Sequence, residues 1–301
     1  MRMAVEMKNS NLLARDQWQI IKGRDFNCHI LVSPFNRRIT VYEFDLNKAY
    51  GAAEMIRALV EKAGALGLDK IWLKSGVRWK QAFLQAGMKL EASIPGYYKG
   101  GEPALVLAIY LSARRQTPSN SRGADQAEEL ISCFKTRSSI RALPAGITLQ
   151  WGQPEHCLVL ARLYGRVFST YPFPVADPDY LKLTMDKGAR YIMAWRHEEL
   201  VAAASAEINR THKNAEMTDF ATISKWRGYG LANCLLTQME ARLEIEGLRC
   251  LYTIARSSSI GMNKVFAGAG YGFNGVLINN CNISGGFEDM NVWSKCLYNE
   301  G

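Results

Sequence analysis

The stretch Arg227-Gly228-Tyr229-Gly230-Leu231-Ala232 joins a fixed cation and two glycines to a helical pattern that runs from Leu231 to Glu246. The N-terminus of a helix leaves backbone N–H groups without intrahelical partners and carries the positive end of the macrodipole, so it is a ready anion site. Gly228 and Gly230 remove the Cβ atoms that would hold a diphosphate away from the backbone, and Arg227 adds charge. The chain reaches this turn from a β-prone run, Glu216-Met217-Thr218-Asp219-Phe220-Ala221-Thr222-Ile223, which contains two carboxylates. Their odd spacing puts Glu216 and Asp219 on opposite faces of a strand. A glycine pair before a helix also serves as a plain turn. Another phosphate-loop pattern is missing: there is no G-x-x-x-x-G-K-S/T.

The elements around this turn predict an α/β protein of two units. Residues 1–25 read as an irregular polar tail, 26–111 as a first unit, 112–145 as a Ser- and Arg-rich linker, and 146–301 as a second unit. In the first unit, strands are expected at 28–32, 39–44, 70–74, 88–94 and 104–110. Asp45 is expected to cap a helix through about Leu66, and a second helix covers 79–86. The linker carries one short helical stretch at 127–134. In the second unit, helices are expected at 157–168, 177–186, 231–246 and 260–269, with strands at 190–195, 200–208, 214–223, 250–255, 273–278 and 289–295. The two units echo each other. Lys70–Lys74 followed by Phe83-Leu84-Gln85-Ala86-Gly87-Met88 parallels Cys250–Ile254 followed by Phe266-Ala267-Gly268-Ala269-Gly270-Tyr271. The first unit has no counterpart of Arg227–Ala232. The echo fits a degenerate copy of the second unit, and it also fits the coincidences that any α/β chain offers.

At 301 residues and 48% hydrophobic content the chain can bury two ordinary cores. It has no apolar run of membrane-spanning length and no signal-peptide pattern at its start. Seven cysteines, without C-x-x-C spacing, predict reduced thiols in a cytoplasm and no metal site; Cys157, Cys234 and Cys250 lie in apolar patterns that suit a core. The net charge of +9 comes without a dense basic run or a nucleic-acid motif, and suits an anionic ligand. A homo-oligomer is compatible with this composition.

The spacing Arg227-x-x-Gly230-x-Ala232 resembles the acyl-CoA signature of the GCN5-related N-acetyltransferases. Longer stretches are more specific. They are Ile30-Leu31-Val32-Ser33-Pro34-Phe35-Asn36-Arg37-Arg38, Glu91-Ala92-Ser93-Ile94-Pro95-Gly96-Tyr97-Tyr98, Val167-Phe168-Ser169-Thr170-Tyr171-Pro172-Phe173-Pro174, Asn214-Ala215-Glu216-Met217-Thr218-Asp219-Phe220-Ala221-Thr222 and Leu277-Ile278-Asn279-Asn280-Cys281-Asn282-Ile283-Ser284-Gly285. Over roughly residues 26–298 these resemble the β-lysine N-acetyltransferases, which pair with a lysine 2,3-aminomutase.

The resemblance implies a mixed, splayed central sheet flanked by helices in the C-terminal half. It implies acetyl-CoA as donor and the N6 amine of β-lysine as acceptor, by direct attack in a ternary complex. The amides of Arg227, Gly228, Tyr229, Gly230, Leu231 and Ala232 would hold the diphosphate. The backbone of Phe220, Ala221 and Thr222 would pair with the pantetheine arm, and Asn263 could contact the pantetheine or the sulfur. A lysine-type amine is mostly protonated at neutral pH, which costs about 4–5 kcal/mol without assistance. Glu216, five residues before Ala221, takes the position of the base in histone-type members, with Asp219 as the second candidate. Phe266 stands where many members have a tyrosine acid. For the acceptor, Arg256 is a candidate carboxylate clamp. Glu288 or Asp289 are candidate ammonium partners, and the amide-rich Asn279, Asn280 and Asn282 suit a zwitterion. Tyr171 and Phe173 lie in a loop that closes over the acceptor, while Tyr164 and Phe168 suit the core. Two alternatives stay open: another amine (a polyamine, an antibiotic amine or a protein lysine), and a CoA-binding regulator without turnover.

Overall fold

The computed structural model describes residues 16–134, 143–283 and 285–297. Its first half contains β1 (Gln17–Lys22), β2 (Phe26–Ser33), β3 (Arg38–Leu46), α1 (Gly51–Ala65), β4 (Lys70–Ser75), α2 (Lys80–Gln85), β5 (Lys89–Ile94) and β6 (Ala104–Tyr110). Between the halves come α3 (Ala113–Gln116) and α4 (Gly123–Phe134). The second half contains β7 (Ile147–Trp151), α5 (Cys157–Val167), α6 (Pro178–Asp186), β8 (Arg190–Arg196), β9 (Glu199–Asn209), β10 (Asn214–Thr222), α7 (Leu231–Ile245), β11 (Cys250–Arg256), α8 (Ile260–Gly268), β12 (Gly272–Ile283) and β13 (Gly286–Cys296).

Among the described residues one 13-stranded sheet runs through both halves in the order β1-β2-β3-β4-β6-β5-β12-β13-β11-β10-β9-β8-β7. Read outward from the β5–β12 junction, the halves repeat one scheme. A hairpin partner comes next, then a parallel pair (β4 with β3, β11 with β10), then antiparallel strands. A parallel pair needs a crossover, which α1 supplies in one half and α7 in the other. The echo between the halves therefore extends to strand order and to the placing of the helices. At the junction Gly275 faces Ala92, and a Cβ on Gly275 would collide with the Glu91 carbonyl, so only glycine lets the two strands close up.

Strand alternation sorts the side chains into three clusters. In the first half Ile71 and Leu73 face Met55 and Leu59 of α1, and in the second Leu251 faces the core under α7. The intervening positions, Trp72 on β4 and Cys250 and Tyr252 on β11, face the other way. They join Ile94, Tyr97, Val106, Leu277, Met290 and Val292 in a cluster shared by both halves. The helix-bearing faces thus point outward, and the bare faces pack on each other.

Four local expectations are corrected. Gln17–Lys22 lies in the supposed tail but forms an edge strand on β2, and its mixed sequence reflects a face that stays half in water. Asp45 does not cap α1, because β3 continues through it to Leu46 and the helix begins at Gly51. Ile147–Trp151 is a further strand, paired with β8. α4 begins at Gly123, ahead of the expected 127, because it packs along α8 and β12. No helix among the described residues is long and apolar enough to cross a membrane.

Candidate active site

β10 and β11 pair only over Asn214–Glu216 against Cys250–Tyr252 and then part, while each continues for several residues. The backbone groups of β10 that face the gap have no β11 ladder to satisfy them, so a bound segment can pair there. The gap opens into a cavity of about 720 Å³. Its walls are Met217–Phe220 and Thr222 of β10, Thr253–Arg256 of β11, the turn into α7, and α8 with Met262, Lys264 and Phe266. Val167, Phe168 and Tyr171 lie at the end of α5 and just beyond it.

At the mouth of this cavity Gly228 and Gly230 both adopt left-handed φ, at 86° and 81°. A Cβ at Gly228 would meet nothing within 4 Å, so backbone conformation, not crowding, selects glycine there. Gly230 is the N-cap of α7, and among the described residues no side chain caps that terminus, which leaves its amides for a ligand. Arg227, Gly228, Gly230, Leu231 and Ala232 all line the cavity. Tyr229 does not. Its ring is exposed and packs on Trp226 with centroids 5.3 Å apart. Open glycines, an uncapped helix and a parted strand pair fit the diphosphate and the extended arm of a coenzyme A thioester. In the first half the equivalent position at α1 is closed. The Asp25 carbonyl sits against Gly51, and Glu54 accepts from the amides of Arg24 and Asp25 at 2.9 and 3.2 Å.

The two strand carboxylates take opposite faces. Glu216, at the last paired position, accepts from the Tyr252 hydroxyl at 3.1 Å and looks toward the cluster between the halves. Burial, reinforced by Tyr97 and Glu216, holds the Tyr252 phenol well above its ordinary pKa, so it stays a donor. Asp219 sits on a β-bulge with φ 53° and is buried. Its Oδ1 accepts from the Tyr171 hydroxyl and its Oδ2 from Ser205, both at 2.7 Å. Asp219 lines the cavity and Glu216 does not.

Of the other expected pantetheine contacts, Phe220 and Thr222 line the cavity, whereas the Ala221 methyl lies in the core and its backbone pairs with Ala203 of β9. Asn263 is redirected. Its Nδ2 donates to the carbonyls of Arg256 and Ser259, both at 2.9 Å, and its Oδ1 accepts from Asn291 and Trp293 at 3.0 and 2.9 Å. A buried amide needs such partners, and these tie α8 to β11 and β13. Arg256 lines the cavity but pairs with Glu288 at 2.6 Å, so two acceptor candidates hold each other. Asn279, Asn280 and Asn282 lie between the halves, not in the cavity. Asn279 donates to the carbonyls of Arg115 and Thr117, the Asn280 carbonyl accepts from Arg38, and Asn282 donates to the Phe35 carbonyl. Asp289, fully buried, accepts from the amides of Asn279 and Asn120 at 2.6 and 2.8 Å. Phe173 packs on the second core, as do Tyr164 and Phe168, whose rings stack; Phe168 also reaches the cavity. Cys234 lies on the buried face of α7. Ser205, Lys264 and Trp226 went unforeseen. A lone hydroxyl in the run Val201–Ala206 was the available signal for Ser205.

The N-acetyltransferase YodP of Bacillus subtilis is 35% identical over 266 residues, spanning 87% of this chain and 94% of its own length. Residues 151–271 match the Acetyltransferase (GNAT) family. The chain belongs to the GNAT family. The matched segment of this GNAT protein holds most of the cavity wall, the glycine turn and both strand carboxylates. The Beta-lysine N(6)-acetyltransferase of Methanococcus maripaludis is 33% identical over 268 residues, spanning 88% of this chain and 95% of its own. That of Methanosarcina mazei is 37% identical over 164 residues, spanning 54% and 60%. This GNAT protein is an N-acetyltransferase with acetyl-CoA as donor.

Proposed function

We propose that the protein transfers an acetyl group from acetyl-CoA to the N6 amine of β-lysine. The observation that carries the acceptor is the likeness to the Methanococcus maripaludis Beta-lysine N(6)-acetyltransferase, which spans both halves and 95% of that protein. Acetyl-CoA supplies the activated acyl group. The amides from Gly228 to Ala232, with Arg227, bind its diphosphate, and the unpaired edge of β10 at Phe220 and Thr222 orients its arm. Glu216, held by Tyr252 where the strands part, takes the proton from the acceptor ammonium, directly or through a water. Asp219 is the weaker candidate, because hydrogen bonds from Tyr171 and Ser205 already engage both of its carboxylate oxygens. With Phe266 at the usual tyrosine position, the thiolate leaves without a dedicated acid. Residues 146–301 form the catalytic unit, and 26–111 its partner half.

The test is acetyl-CoA turnover against β-lysine, spermidine and a lysine peptide, with the product located by NMR. β-Lysine is expected to give the highest kcat/KM and a product acetylated at N6. A higher kcat/KM for either competitor would overturn the acceptor, and saturable acetyl-CoA binding with no turnover would favour the regulator.

A further inference from the structure

The face of β10 that carries Glu216 looks across the central cluster at the first half, where β4 presents a lysine. Lys74 is half-buried. Its Nζ lies 5.3, 5.5 and 5.6 Å from the ring centroids of Tyr252, Tyr97 and Trp72. It is also 3.5 Å from the Tyr252 hydroxyl, the group that donates to Glu216. Burial disfavours the ammonium, but Tyr97 and Glu216 outweigh that and raise its pKa, so the cation persists. Hydroxyl partners of this kind can give way to a ligand carboxylate, a stronger, charge-assisted partner.

On the other side of the cluster Glu207 of β9 stands directly across from Glu216 in register, and both act on Tyr252. Like charges at directly opposed positions repel, so the pair favours a cation brought alongside. Aromatic faces add to the attraction for an ammonium. One cation, two carboxylates and an aromatic wall complement the charges of a diamino acid.

We propose that both halves build the acceptor site, with Lys74 receiving the carboxylate of a diamino-acid acceptor while Glu207, beside Glu216, attracts its ammonium groups. The proposal rests on the reading of Glu216 as the base that faces the acceptor. It also gives the first half a task although its own helix terminus is closed.

The test compares the parent with Lys74→Gln and Lys74→Arg on two amines: β-lysine, and 1,4-diaminopentane, which is β-lysine without its carboxylate. Calorimetric binding of acetyl-CoA checks the fold of each variant. Lys74→Gln is expected to reduce the kcat/KM preference for β-lysine about tenfold or more, mainly through KM, as for one lost charge-assisted contact, and Lys74→Arg to restore most of it. A preference unchanged within about twofold, or an equal loss on both amines, makes Lys74 structural and overturns the inference. If Lys74→Gln loses acetyl-CoA binding, Glu207→Gln decides: a raised KM for both amines supports the site, and an unchanged KM overturns it. A parent that binds acetyl-CoA but acetylates neither amine overturns the proposed acceptor together with this inference. A parent that acetylates β-lysine while Lys74→Gln keeps its preference overturns this inference alone.

Discussion

Glu216 and Asp219 show how little separates two readings at the level of single residues. Both lie on the same strand and both could take a proton, and alternation puts them on different faces. Their surroundings distinguish them. Asp219 accepts two short hydroxyl bonds in a buried setting, while Glu216 accepts from the Tyr252 phenol and is half-buried. We expect Glu216→Gln to lower kcat by about 10²–10⁴ and to leave acetyl-CoA binding intact. Asp219→Asn is expected to lower stability by about 1–3 kcal/mol, with the smaller effect on kcat. Single-turnover kinetics and urea unfolding check the pair, and the reverse pattern would reassign the base. The same reasoning explains Asn263. Its residue type suggested ligand binding, but burial obliges an amide to find partners, and the nearby carbonyls and Trp293 provide them.

At the scale of elements, periodicity located nearly every helix and the central strands, because each buries one face or stripe against a core. The parting of β10 from β11 agrees with the splayed sheet that the resemblance implies, whereas the bulge at Asp219 was not legible, since it does not change the hydrophobic pattern. The end of α7 is a further case. Glu246 sits at a helix C-terminus, where the dipole disfavours an anion, and burial adds to that cost. Arg242, Arg210 and Arg190, at 2.9, 2.8 and 3.3 Å, outweigh both and bring its pKa from 4.5 to about 2. A pKa depressed by folding gives stability that is present above pH 4.5 and lost as pH falls toward 2. Glu246→Gln should therefore cost about 1–2 kcal/mol at neutral pH in urea unfolding, because water screens the half-exposed arginines. The gap to the parent should close between pH 4.5 and 2; a difference independent of pH would show that the arginines do not act through its charge.

In the whole molecule the halves are locked by buried charge as well as by their apolar faces. Lys70, fully buried, pairs with Glu91 at 3.0 Å and donates to the Ile278 carbonyl of β12 at 2.8 Å, while the Ile278 amide donates to Glu91 at 2.7 Å. Glu91→Ala strands a cation in the interior and should cost about 3–5 kcal/mol by denaturant unfolding, whereas Lys70→Met with Glu91→Leu should recover most of that loss. A single variant as stable as the parent would show that water reaches Lys70. The sequence alone determined the α/β class, the glycine turn, the likeness between the halves and the two carboxylates worth weighing, because backbone preference and hydrophobic period are local properties. The joining of both halves into one sheet, the commitment of Asn279, Asn280 and Asn282 to that joint, and the facing of Lys74 toward Glu216 were decided by tertiary structure. Those contacts connect residues far apart in the chain, and which polar groups meet across a buried face depends on how whole sheets pack.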